Sequence, residues 1–483
     1  MLGRWFRRPS EDPAIAEGGR VAFHAARWAL LVATALAIRL VFPFPVAGTG
    51  RELVGPVLYN VLMLSAFWAL LMVYRRESYA DFRQVSFLAA LFVIVSLVAS
   101  ASIRLFPGRY ELLPIPLAAM LLTMLFNGRL AMIAAVVLAM LFAGQYGLRE
   151  PYALFPALLG GMAAALSIRT VRERNQLFPA IGYIWGSYVL STTTLALVLG
   201  TGASAMLQST LVGGVTSLLS ASVALLLVPP AERWTGITTD LTLLELSDLG
   251  RPLLHRLALE APGTFAHSIL VANLSEAACD AIGANGLLGR VGCYYHDVGK
   301  LHAPGMFVEN QGQGPNPHDS MTPEDSARVL REHVTAGIVL ADEAGLPDTL
   351  RRFIPEHHGT MPMHFFLERA RRAGTAFRLE DFLYPGPRPR SAETAIAMLA
   401  DSAEAAVRVL NNPSPERVRA ALDRVVAQRM SEGQLEEAPL TMRDFERIKD
   451  VFARMLGAAH HVRPAYPSPA AGFLSEGFRA PGS

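Results

Sequence analysis

The first half of this 483-residue chain is a succession of apolar stretches, each near the roughly 20 residues a helix needs to cross a hydrocarbon core. The spans are read at 27–46, 53–74, 85–106, 112–127, 130–148, 152–168, 178–200 and 209–229. The spans at 112–127 and 152–168 are short. Pro114, Pro116, Gly160 and Gly161 within them imply bent, closely packed helices whose exposed backbone groups a bundle satisfies internally. Arg39 lies inside the first span and must snorkel or pair. Overall, 52% of the residues are hydrophobic and 17% charged. That is too apolar for one ordinary soluble domain and too long for a single core, so two parts of different kind are expected.

Loop charges give the expected orientation. Arg4, Arg7 and Arg8 place the N-terminal segment 1–26 in the cytoplasm. Alternate loops agree, with Arg75, Arg76 and Arg83, then Arg129 in an Asn127-Gly128-Arg129 turn, then Arg169, Arg172 and Arg174. The intervening loops are poorer, with Arg51, then Arg104 and Arg109, then Arg149. Eight spans that begin inside end inside, which makes the second half cytoplasmic. The first span is expected to be retained rather than removed as a signal peptide, because the apolar run is long and no small-residue cleavage site precedes Arg51.

After Pro229-Pro230 the chain changes character. Residues 231–262 read as a juxtamembrane linker turning helical at LTLLELSDL. From 263 to 457 helix follows helix, with apolar residues at three- and four-residue spacing and stops at Gly, Pro or Asn. No window alternates with period two, so the fold class is all-α: a membrane bundle, then an all-helical domain. The tail, 458–483, is rich in Ala, Pro and Gly and is expected to be disordered. Cys279 and Cys293 are the only cysteines, too few for a disulfide framework. The net charge of +2 and the lack of basic runs argue against a nucleic-acid polymer as partner.

Of twelve histidines, eleven follow residue 250. Several come with carboxylates in a telling order: His267, His296-Asp297, His333, His357-His358 and Asp401. Imidazole and carboxylate are the ligand set for manganese, iron or zinc, and one carboxylate can bridge two ions. Neighbouring helical residues point about 100° apart, so the pairs at 296–297 and 357–358 suit helix ends, where the members can serve two neighbouring metals, or a metal and the substrate. Gly299 and Gly359 follow, where a helix C-terminus would let the chain turn away. His24, His255, His302, His364, His460 and His461 are read as ordinary packed or surface residues.

The ordered set H…HD…H…HH…D resembles the HD phosphohydrolase superfamily. More narrowly, the chain resembles the seven-transmembrane-receptor HD family, the PgpH-type cyclic di-AMP phosphodiesterases. The resembling stretches include APGTFAHSILVANLSEAA, RVGCYYHDVGK, FVENQ, NPHD, EHHGT and YPGPRPRSAETAIAMLADSAEAAVR, running from about 238 to 455. The resemblance implies that His267, His296, Asp297, His333, His357, His358 and Asp401 hold two divalent ions, manganese or iron, with Asp297 bridging. It implies hydrolysis of cyclic di-AMP to linear pApA and residence in a bacterial cell membrane. A homodimer is suggested only by analogy.

Only two of the 43 basic residues are lysines, Lys300 and Lys449. In a chain that otherwise uses arginine, Lys300 beside the His-Asp pair is expected to contact a substrate phosphate or the leaving oxygen. Glu309, Asn310, His318 and Asp319 lie in a long polar segment, 308–323, read as a lid or base-binding loop, with a simple linker as the alternative. The family carries a large extracellular domain after its first span, whereas here that connection is about PFPVAGTGRELVGP. Two rival functions stand beside the main one: hydrolysis of another nucleotide, since fold does not fix substrate, and a non-enzymatic receptor or transporter.

Overall fold

The computed structural model describes residues 13–42, 50–145, 148, 152–167, 177–312, 314–374, 376–410 and 413–459. The chain divides into two compact units, Met1–Glu245 and Leu246–Ser483. In the first, all eight apolar stretches are helical: α1 Pro13–Val41, α2 Gly50–Tyr74, then a five-residue turn of helix, α3 Arg76–Ala80, and α4 Phe82–Leu105, α5 Ile115–Leu125, α6 Gly128–Ala143, α7 Phe155–Ser167, α8 Leu177–Leu199 and α9 Ala203–Thr235. Five of these are long and apolar enough to cross a membrane: α1, α2, α4, α8 and α9.

The other three apolar helices are shorter, and the stretches at 112–127 and 152–168 are the ones expected to be short. Helices α5, α6 and α7 have 11, 16 and 13 residues. At about 1.5 Å per residue they fall short of a core roughly 30 Å thick. The helix in the stretch read as 130–148 ends at Ala143, and Gly144 follows it against the Tyr59 ring, where a Cβ would lie 2.5 Å from ring atoms. Gln145 then turns back, its amide donating to Leu141 O (2.9 Å) and Asn60 Oδ1 (2.8 Å). Helix α5 is buried along nearly its whole length.

Small residues set the helix spacing, as expected where lipid supplies no hydrophobic drive. A Cβ on Gly161 would lie 2.7 Å from Ile115 Cγ2, and one on Gly213 2.6 Å from the Tyr188 Cβ. Arg39 does not snorkel; its side chain is buried, 1% exposed. Asn127 caps α6 by accepting from Leu130 N at 2.9 Å, as the Asn-Gly-Arg turn implied. Helix α9 does not stop at Pro229-Pro230 but runs on to Thr235, ending at Gly236 with φ +70°. Arg4, Arg7, Arg8, Arg149, Arg169, Arg172 and Arg174 lie outside the described residues, as does the tail from 460 onward.

The linker stretch holds two short helices rather than one: α10 Asp240–Leu246 and α11 Pro252–Glu260. The second unit continues with α12 Pro262–Ile282, α13 Gly286–Tyr295, α14 Pro323–Glu343, α15 Asp348–Arg351, α16 Phe353–Glu356, α17 His364–Ala373, α18 Ala392–Arg408, α19 Pro415–Ser431 and α20 Met442–Ala459. Helix α12 is central and packs on α13, α18 and α20. Among the described residues there is no strand, only an isolated bridge between Pro362 and Leu383. The all-α expectation holds.

Candidate metal centre

Three helices and two helix ends bring the seven expected residues together. His267 projects from the second turn of α12, and His333 from the middle of α14. His296 closes α13, and Asp297 begins the 3-10 turn that follows. His357 closes α16, with His358 next to it, and Asp401 sits on α18. Both dipeptides thus stand at helix ends. The two glycines behave differently. Gly359 takes the left-handed conformation, φ +54°. Gly299 instead lets its turn press on α14, since a Cβ there would lie 1.7 Å from the His333 carbonyl oxygen.

Four of the five imidazoles are tethered at one nitrogen and aimed with the other. Outward Nδ1 bonds run from His296 to Cys293 O (2.7 Å), from His357 to Phe353 O (3.0 Å), from His333 to Leu330 O, and from His267 to Glu404 Oε2 (3.1 Å). This fixes ring orientation and leaves Nε2 facing inward, the arrangement of metal-bound histidines. The inward atoms His296 Nε2, His333 Nε2, His357 Nε2, His358 Nδ1 and Asp297 Oδ1 are buried and have no hydrogen-bond partner. Buried polar atoms are normally paired, so five converging exceptions mark a place built for cations.

Asp297 divides these groups in two. Its Oδ2 faces His296 Nε2 at 3.3 Å and His267 Nε2 at 3.7 Å. Its Oδ1 faces His333 Nε2 at 3.5 Å and His357 Nε2 at 3.6 Å. The potential ligand atoms of His267, His296 and Asp297 lie within 4.8 Å of one another, as do those of Asp297, His333, His357 and His358. Asp401 joins both groups, with Oδ1 3.1 Å from His267 Nε2 and Oδ2 4.0 Å from His358 Nδ1. The donor set fits two divalent ions sharing one carboxylate.

The electrostatics agree. Burial opposes a charged Asp297, but Lys300 and His296 outweigh it and hold the carboxyl well below its usual range. Asp401 is likewise lowered despite burial, chiefly by His267. Burial would depress His267, yet Asp401 and Glu404 push it up to about 10. Burial drives His333 down to about 3 and His358 well below its normal value. Neutral imidazoles and ionised carboxylates are the forms that bind metal. Asp297, Asp401, His333 and His358 are therefore already in ligand form, whereas His267 would have to release a proton on metal binding.

Lys300 is half of an ion pair on each side, with Nζ 2.8 Å from Asp297 Oδ2 and 2.6 Å from Glu309 Oε1. Asn310 is used structurally: its Oδ1 accepts from Thr264 N (3.1 Å) and its Nδ2 donates to Thr264 Oγ1 (2.8 Å). His318 is buried, Nε2 pairing with Met306 O at 2.9 Å, and Asp319 is exposed. Segment 304–320 is thereby stapled to the start of α12 and, through Arg369 to His318 O (2.8 Å), to α17. Gln313 lies outside the described residues.

Two contributors escaped the reading of the sequence. Glu404 supports His267 from one turn beyond Asp401, and that i,i+3 spacing was the available signal. Tyr384 stacks on His358, ring centroids 4.0 Å apart at 21°. A lone tyrosine in a loop carries no such signal.

Residues 51–239 match the family described as a 7TM receptor with intracellular HD hydrolase, and residues 264–406 match the HD domain. The first match takes in α2 and α4–α9, seven apolar helices among the described residues. The cyclic-di-AMP phosphodiesterase PgpH of Bacillus subtilis is 34% identical over 427 residues, 85% of this chain and 60% of that protein. The PgpH of Listeria monocytogenes is 34% identical over 363 residues, 74% of this chain and 50% of that one. The crystal structure of the L. monocytogenes PgpH HD domain with cyclic-di-AMP is 38% identical with a TM-score of 0.43, over 44% of this chain and 100% of that one. The chain spans about half to three-fifths of the length of the curated relatives it matches.

Proposed function

Since the chain belongs to the family of membrane receptors with an intracellular HD hydrolase, we propose that it is a phosphodiesterase that opens cyclic di-AMP to linear pApA. The observation that carries this reading is Asp297, whose two oxygens each face a separate group of imidazoles. The names of the Bacillus and Listeria relatives supply the substrate. His267, His296, Asp297 and Asp401 would hold one ion, and Asp297, His333, His357 and His358 the other, as manganese or iron. Two such ions supply Lewis acidity that makes water nucleophilic near neutral pH and neutralises phosphate charge.

The protein's own groups do the positioning. Two carboxylates, four tethered imidazoles and His358 under the Tyr384 ring fix the reacting groups. Lys300 keeps one N–H beyond those used by Asp297 and Glu309, and offers it to a phosphate oxygen. Asn310 and His318 act on substrate only through the loop they hold, and Asp319 stands at that loop's exposed face.

The same reading puts the N-terminus and the hydrolase unit in the cytoplasm of a bacterial cell, under the inner membrane. Reporter fusions after residues 50, 80 and 230 should read outside, inside and inside; an external signal at 230 overturns the topology. A homodimer belongs to this reading and would show as twice the chain mass in solution. The function itself is tested with the full chain in lipid nanodiscs, loaded without oxygen with manganese or iron. Metal-dependent pApA from cyclic di-AMP, with little product from cyclic di-GMP, is the expected result. Two bound metals without turnover of cyclic di-AMP would refute the substrate assignment.

A further inference from the structure

The segment YPGPRPR lies between the paired histidines and α18, and its tyrosine is held at the candidate metal centre by backbone bonds. Just past His358, Met363 N donates to Phe382 O (2.8 Å) and Tyr384 N donates to Met361 O (3.0 Å). This two-rung pairing fixes Tyr384 relative to the histidine dipeptide. Its ring lies flat on His358 at 4.0 Å and meets the His333 ring edge-on at 6.1 Å and 77°. Two residues earlier the chain uses a phenylalanine, Phe382, fully buried in an apolar cluster with Ala327, Met363 and Phe366. Packing and stacking alone would be served by phenylalanine at 384 too.

The difference is the hydroxyl. Among the described residues it has no hydrogen-bond partner, although the charges of Lys300, Asp401, Asp297 and Arg429 all act on it. A tyrosine phenol carries its proton near neutral pH and serves as a donor. Arg429, by contrast, is already engaged with Ser402 Oγ (3.2 Å) and Glu432 Oε2 (2.8 Å).

We propose that Tyr384 is a catalytic residue whose hydroxyl donates a hydrogen bond to an oxygen of the scissile phosphate, positioned by the stack on His358. The inference rests on the phosphodiesterase reading above. The group transfers no proton; it stabilises charge that grows on phosphate in the transition state, as a pre-placed donor does. A donor already held by a two-rung ladder and a ring stack needs little reorganisation when substrate arrives.

The test is Tyr384→Phe in the full chain, which keeps the ring and its stack. The expected result is a kcat lowered roughly 100-fold, with KM little changed and metal content equal to wild type. A second arm titrates inorganic phosphate into the manganese-loaded chain by calorimetry, and Tyr384→Phe should bind it several-fold more weakly. Wild-type kcat and phosphate affinity in Tyr384→Phe would overturn the inference. If wild type fails to cleave cyclic di-AMP while the phosphate arm separates the two proteins, only the substrate reading falls. Tyr384→Ala should additionally lower metal content, because His358 loses its stack.

Discussion

The two units treat buried polar atoms in opposite ways. In the membrane unit, many buried hydroxyls return their hydrogen bonds to their own helix, as Ser96 to Phe92 O (2.7 Å), Thr123 to Ala119 O (2.8 Å) and Ser217 to Gly213 O (2.7 Å), while Ser100 and Tyr188 donate to carbonyls of other segments, Val41 O and Glu111 O. Unpaired atoms such as Trp68 Nε1, Glu111 Oε2 and Gln145 Oε1, among the described residues there, belong to separate segments. In the second unit, apart from Ser268 Oγ, His318 Nδ1 and Ser326 Oγ, the unpaired atoms among the described residues gather around Asp297, and four of their histidines are tethered at the opposite nitrogen. Local satisfaction holds a helix together in lipid. Convergent dissatisfaction, held in place by satisfied outer contacts, is what a metal-binding catalytic site requires. The contrast separates residues that build the fold from residues that await a charge.

Breaking the convergence should have the largest effect. Asp297→Ala removes the one side chain shared by both groups; activity should fall below detection, and metal content should drop in elemental analysis. Retained hydrolysis would defeat the shared-carboxylate account. Lys300→Ala leaves the imidazoles in place, so turnover should fall roughly 100-fold with both metals retained, as steady-state kinetics on metal-quantified samples would tell. Unchanged kinetics would return Lys300 to a purely structural pairing.

Removing an outer tether tests the other side of the contrast. Glu404→Gln should weaken metal affinity roughly 10- to 100-fold, read by competition with a chelator, with helicity unchanged; unaltered affinity would make the His267–Glu404 contact incidental. The smallest effect belongs to the bundle. Asn127→Ala removes the cap of α6 and should lower the bundle's stability by about 1 kcal/mol, seen as a reduced melting temperature in detergent. Hydrolysis at 25 °C should not change, and a large loss would mean that α6 matters to catalysis beyond stability.

Much of this was legible in the sequence because the informative residues are rare and ordered. A His-Asp pair, a His-His pair, His267, His333 and Asp401 occur in an order that resembles the HD superfamily, and that resemblance is what grouped them into one ligand set. Apolar runs likewise located the long bundle helices, but not their lengths: α6 ends at Ala143, well short of the apolar stretch read as 130–148. Segment 308–323 was harder, because Asn and His serve equally well as loop staples and as ligand contacts. Asn310 and His318 proved to be staples. Glu404 and Tyr384 were invisible, since glutamate and tyrosine are common and their meaning comes from the imidazoles they touch.

The central claim is that one carboxylate joins two metal groups. The most direct measurement is the number of divalent ions per chain in fully active, full-length protein, by elemental analysis across a manganese titration. The account predicts activity rising to a plateau at two ions per chain, and near one ion with little activity in His333→Ala. Full activity at a single ion per chain would contradict it.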